Sequence, residues 1–245
     1  MTIAAIGVVL TVLTESMVAD LPDPAHRAIN RSGVVGMHIP DTVHVRQNGR
    51  IRSDRSGRWL RFTAAEQYTL DPPSFRWEAA LRVAGVGVGR AIDSLDHGRG
   101  RMHVRVLGLF TAVDATGPEM DQGSVMRWLN ETMWFPAVWA TDTIKWEPID
   151  RHRARATVAV AGLEATAVFH FDEHGRLVNF TADRYRDDHG VFAMTPWSTP
   201  LSDHRRFNGV ELPAAGSALW TLDDGDFEYI QIDVSSIRYS NSTAG

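Results

Sequence analysis

Apolar and polar residues alternate with a period of two along most of the chain. Phe75, Trp77, Ala79, Leu81 and Val83 fall on one side of a segment whose other side carries Arg76, Glu78 and Arg82. Successive side chains of a strand point to opposite faces, so this pattern predicts a half-buried strand. Val43 and Val45 alternate with His44 and Arg46 in the same way, and Met102, Val104 and Val106 with Arg101, His103 and Arg105. Further strands are predicted near residues 59–62, 144–147, 154–160, 165–171, 177–184, 204–207, 217–222 and 227–239. Turn residues separate them, among them Asn48-Gly49, Ser56-Gly57, Ala161-Gly162, Asn208-Gly209 and Asp223-Asp224-Gly225. Gly85, Gly87 and Gly89 predict a sharply bent link, and Met194, Pro196, Trp197 and Pro200 predict a loop.

The period changes once. Val125, Trp128, Leu129 and Met133 form a helical stripe over residues 124–133, with Ser124 as N-cap. Pro136 stops that helix, because the residue before a proline is pushed out of the α region. Trp134, Phe135 and Trp139 crowd its exit. Two short helical signals precede the strands, one after Thr14 and one between Asp23-Pro24 and Gly33.

About ten strands joined mostly by hairpins predict a mainly β fold. A sheet that wide curls or closes, so residues 41–239 are expected to form a strongly curled antiparallel half-barrel or barrel. The Trp-rich helix at 124–133 is the natural cover for an apolar cavity on its concave face, with short helices in residues 14–33. Neither a repeat nor a linker divides residues 1–245, so a single domain is expected.

Composition adds exclusions. The chain is 44% hydrophobic over 245 residues, enough for a core. A net charge of -5 with dispersed arginines gives no nucleic-acid footprint. The 24 Arg against the single Lys145 reflect GC-rich coding more plausibly than chemistry. The absence of Cys excludes disulfides and thiolate chemistry. Residues 3–13 are an apolar run, too short to span a bilayer and without a basic segment before it. A buried first element, a remnant of a longer anchor and an atypical signal all stay open for residues 1–13. A cytoplasmic location is expected, with export or membrane tethering through residues 1–13 as the alternative.

Candidate chemistry centres on the aromatic residues. Trp77, Trp128, Trp134, Trp146 and Trp197 are the candidate cavity wall, since an indole offers a large apolar face and one donor. Glu131 lies three residues from both Trp128 and Trp134, broadly on their side of the helix. Desolvation there would raise its pKa toward the range of a general acid or base, unless an arginine pairs it. Arg184 and Tyr185 follow Asp183 on a strand; an inward Arg184 could hold an anionic group or stabilise an enolate. Asp93 and Asp96 fit turn chemistry beside Gly98. The ten His are scattered without metal-ligand spacing, and the glycines at 85–89 lack a phosphate-loop context. No metal and no cofactor is expected.

Several pieces carry a family resemblance: Gly98-Arg99-Gly100-Arg101-Met102, Gly117-Pro118-Glu119, Arg127-Trp128-Leu129-Asn130-Glu131 with Trp134-Phe135-Pro136, and Gly209-Val210-Glu211-Leu212-Pro213. Through them residues 21–239 resemble an uncharacterised bacterial domain family. The final third more distantly resembles the half-barrel carriers that ferry lipoproteins and lipids across the bacterial periplasm. That likeness implies strands curled around an apolar concavity. The expected partner is an apolar small molecule or lipid. The alternative is a cofactor-free cyclase or isomerase using Glu131, Arg184 and Tyr185. Oligomeric state stays open.

Overall fold

The computed structural model describes residues 11–188 and 190–241. Fourteen strands occur among them, more than the ten expected. The first six are β1 (Thr42–Ile51), β2 (Leu60–Thr69), β3 (Ser74–Val83), β4 (Val86–Asp96), β5 (Arg99–Val106) and β6 (Phe110–Ala115). The helix α3 (Pro118–Glu131) follows, then two short 3-10 turns over Thr132–Trp134 and Pro136–Ala140. The chain returns through β7 (Ile144–Asp150), β8 (Arg153–Val160), β9 (Leu163–Phe171), β10 (Leu177–Asp188), β11 (Val191–Ser198), β12 (Leu201–Phe207), β13 (Val210–Leu222) and β14 (Gly225–Ser240). Before β1 come α1 (Glu15–Val18) and α2 (Asp23–Ser32).

All strands belong to one antiparallel sheet in the order β6-β5-β4-β3-β2-β1-β14-β13-β11-β10-β9-β8-β7, with β12 attached to β13. The first and last strands pair at its centre, and its two edges, β6 and β7, flank α3 in sequence. The sheet curls into a half-barrel, and α3 packs against β4 and β5 on one wing and β8, β9 and β10 on the other. The expected cover is therefore present. Its helix begins earlier than residue 124, because Pro118 supplies an N1 residue with fixed φ after Gly117. It ends at Glu131 rather than 133, where the chain tightens into the first 3-10 turn before Pro136.

Two turn expectations fail for physical reasons. Asn48-Gly49 is not a hairpin; β1 runs straight through it, paired on both sides. Gly49 is there for clearance, since a Cβ would lie 2.1 Å from the Gln231 carbonyl oxygen and 2.5 Å from the Phe62 ring. Among the glycines at 85–89, only Gly85 turns, together with Ala84, while Gly87 and Gly89 lie inside β4. The loop expected around Pro196 is strand β11. Pro196 is tolerated because β11 pairs with β13 only at Trp197 and Ser198, which leaves the flank at Pro196 without a sheet partner.

The N-terminal apolar run lies outside the described residues up to residue 10. Beyond it, Val12 bridges His38 and Leu13 is fully buried in the main core. No helix among the described residues is long and apolar enough to cross a membrane.

Candidate functional site

The concave face holds an open-sided cavity of about 910 Å³. Its walls are aromatic and aliphatic, with Trp134, Trp197, Trp220, Tyr229, Ile230 and Ile232 among them. Small residues on β13, from Ala214 to Ala218, border it and leave its wall without bulky side chains there. Trp220 stacks on Tyr229 with ring centroids 5.9 Å apart, and the Trp197 indole donates to the Tyr229 hydroxyl at 3.1 Å.

One part of the wall is charged. Arg127 of α3 reaches three carboxylates from three elements. Its Nη2 donates to Glu66 Oε1 on β2 at 2.8 Å, its Nη1 to Asp93 Oδ2 on β4 at 2.6 Å, and its Nε to both Glu131 oxygens at 3.0 and 3.1 Å. Glu131 is one helical turn further along α3, where i,i+4 partners meet. The guanidinium also lies 4.8 Å from the Phe75 ring centroid and 5.3 Å from that of Trp77, contacts of cation–π range. Gln47 extends the network by donating to Glu66 Oε2 at 3.1 Å and accepting from the Trp77 indole at 3.1 Å. Asp93, Arg127 and Glu131 line the cavity, while Glu66 sits behind them.

Three carboxylates around one cation leave a surplus of negative charge in a place with little water. Burial pushes the Glu66 carboxyl well above its usual range, against the pull of Arg127, and the neighbouring Glu131 and Asp93 add to the rise. Glu131 is raised in the same way, chiefly by burial. Burial works against the Arg127 charge, yet Glu131, Glu66 and Asp93 outweigh it and hold the guanidinium protonated. The Tyr68 phenol is pushed well up, first by burial and then by Glu131 and Glu66. Its hydroxyl faces those carboxylates without a hydrogen bond of regular geometry, and Asp93 Oδ1 is likewise unpartnered.

This arrangement gives stability a pH dependence. The folded-state pKa of Glu66 lies above the ordinary value of about 4.3 in the unfolded chain. Its contribution is therefore complete below that value and is lost as pH rises through the folded one. Glu66→Gln removes that titration. Urea unfolding should show the variant losing less stability than the native chain between about pH 5 and 8. Parallel profiles would mean that Glu66 is ionised throughout.

The structure distributes the residues singled out from sequence as follows. Trp77, Trp134 and Trp197 line the cavity. Trp128 and Trp146 do not. Trp128 is fully buried with its indole bonded to the Thr69 carbonyl at 3.3 Å, because its place on α3 faces the β2–β3 side of the core. Trp146 packs edge-on against Trp139 and Phe169 and donates to the Trp139 carbonyl at 3.0 Å. Glu131, Arg184 and Tyr185 all border the cavity, but no ion pair joins Arg184 to Glu131 among the described residues. Arg184 lies over the Trp197 ring at 4.9 Å, in the space left by Gly123, and its Nε has no partner.

Sequence reasoning missed Arg127 as the hub, and it assigned Asp93 to a turn. Asp93 is inside β4, 2% exposed and ion-paired. The signal was present in the alternation. Gln47 follows Val43 and Val45 on an inward phase, Glu66 sits between Ala64 and Tyr68, and Asp93 between Ala91 and Leu95. A polar residue on the apolar phase of three strands of one wing, β1, β2 and β4, marks a buried network.

Comparison with known proteins gives the chain its family. The sequence profile of DUF6544, a family of unknown function, matches residues 11–232. The chain belongs to this family. Among curated proteins, nothing matches it. A DUF1329 family protein from Desulfovibrio piger is 14% identical, with a TM-score of 0.46, and the match covers 94% of each chain. A LolA superfamily protein from Nitrosomonas europaea is 10% identical, with a TM-score of 0.45, and the match covers 95% of this chain and 96% of that one.

Proposed function

We propose that this DUF6544 member binds a hydrophobic small molecule or lipid in the concavity of its half-barrel. One observation carries the reading: the space between α3 and the sheet is a cavity of about 910 Å³ with an aromatic and aliphatic wall, not a filled core. That volume is at the upper end of the range of about 300–1,000 Å³ for small-molecule sites. The sequence resemblance to lipoprotein and lipid carriers points the same way. It also favours the exported or membrane-tethered alternative; the cytoplasmic expectation finds no support here.

Native mass spectrometry of the protein purified from its own host tests the reading. The expected result is a stoichiometric apolar ligand, released by organic extraction. Ala218 lines the cavity on β13, and Ala218→Phe places a ring inside it. This variant should keep its fold by circular dichroism and weaken binding about tenfold or more. A clean unliganded mass, unchanged by added lipids, would overturn the proposal.

The enzyme reading has less support. A general acid or base needs a free carboxyl edge, and Arg127 Nε contacts both Glu131 oxygens.

A further inference from the structure

Apart from the cavity, an unusual surface among the described residues lies at the tips of two neighbouring hairpins. The β3–β4 turn closes at Val83 and Val86, and the β5–β6 turn at Val106 and Phe110. Gly89 pairs with Val106 between β4 and β5, so the two tips stand side by side at one end of that wing. Their large apolar side chains face solvent: Val86 is 67% exposed, Leu107 65%, Leu109 77% and Phe110 65%. Single exposed apolar residues are ordinary, but a contiguous group of this kind marks a surface that meets something apolar.

The charges that the two hairpins themselves carry beside their tips are of one sign. Arg82, Arg90 and Arg105 flank them, and neither residues 79–92 nor residues 97–113 contain an Asp or Glu. Arg82 and Arg105 donate to carbonyls of their own turns, Gly85 at 3.4 Å and Gly108 at 2.7 Å, which holds both guanidinium groups beside the apolar tips. The chain as a whole is acidic, with a net charge of -5, so this basic patch is local. A second copy of the chain docking tip to tip would bring arginine against arginine. An anionic bilayer offers acyl chains to the apolar side chains and phosphates to the arginines.

The same wing borders the cavity. Val113, further along β6, is 41% exposed and lines it, and across the opening, on the other wing, Phe192 of β11 is 38% exposed and lines it too. The cavity thus reaches solvent next to β6, on the edge strand that carries the exposed apolar residues.

We propose that the β3–β4 and β5–β6 hairpin tips form a docking surface for an anionic lipid bilayer. Docking there sets the open side of the cavity beside the membrane. The inference stands on the tips alone and does not need the cavity to be a binding site.

Vesicle flotation of the full chain tests it, with phosphatidylcholine vesicles against vesicles containing about one third phosphatidylglycerol. The expected result is flotation with the anionic vesicles and little with the neutral ones, decreasing as salt is raised. A Leu109→Asp, Phe110→Asp double variant should lose about tenfold or more in vesicle affinity. Its melting temperature should match that of the native chain, because both side chains are exposed. Arg82→Gln and Arg105→Gln should each lose about fivefold on anionic vesicles and nothing on neutral ones. Absence of flotation, equal flotation with both vesicle types, or flotation unchanged by the double variant would each overturn the proposal. So would concentration-dependent dimerisation that the double variant abolishes, since the tips would then be an interface between copies.

Discussion

Arg127→Met should be among the most destabilising single substitutions in this protein, costing about 3–5 kcal/mol at neutral pH. The reason is what it leaves behind. Glu66 and Asp93 are 2% exposed and Glu131 5%, and all three rely on the one guanidinium. Methionine has a similar length but offers no charge and no donors. The variant should also invert the usual acid sensitivity. Without the cation, burial and mutual repulsion raise the folded-state pKa values of Glu66 and Glu131 further. Groups raised in this way contribute stability below their unfolded pKa and lose it as pH rises through the folded one. Urea unfolding of the variant should therefore show its deficit shrinking toward about pH 4.5 and growing toward about pH 8. A loss below about 1 kcal/mol at every pH would show that the cluster is screened by water. Arg127→Lys should rescue little, because an ammonium is a point charge and cannot serve three carboxylates in a planar fork.

Gly100→Val should release the helix from the sheet. A Cβ at Gly100 would stand 2.4 Å from Ser124 Oγ and 2.5 Å from the Met120 carbonyl oxygen, so β5 and α3 touch there through backbone. The contact is fastened from the other side by Asp121. That carboxylate accepts from the Gly100 amide at 2.7 Å and from Arg99 Nη1 at 3.0 Å. Valine adds three carbons where there is no room for one. Overpacking costs about 1–3 kcal/mol where neighbours can adjust, and here the neighbour is helix backbone, so about 3 kcal/mol is expected. Since α3 is also a wall of the cavity, affinity for the apolar ligand proposed above should fall along with the melting temperature. A variant with native stability would place α3 further from β5 than the structure has it.

Much of the fold is legible in the residue pattern, because burial on one face enforces a period of two. The alternation around Trp77 and around Val104 and the helical stripe through Trp128 each became the expected element. Turn chemistry was less dependable, since one residue serves two purposes. Asn208-Gly209 turns with both residues at positive φ, while Gly49 lies in a strand and clears the Phe62 ring. Of the candidate site, the aromatic wall was partly legible. Trp197 reaches the cavity and Trp128 does not, and only packing around α3 separates them. The Arg127 network was not read because its members come from β2, β4 and α3. Their meeting depends on strand order and on the crossing of the helix, neither of which is local to any segment.

That strand order also governs how the chain can assemble. Strands β1 to β6 pair in sequence order, and so do β7 to β11, so each wing closes through short turns alone. The seam between β1 and β14 is different. It joins Thr42 to Ser240 and Val43 to Tyr239, contacts separated by nearly the whole chain. Closing a loop of that length costs entropy before any contact repays it, and non-local pairing slows folding. The two wings are thus expected to form first from local contacts, and the central seam, with the concavity it completes, to be the slow step of folding.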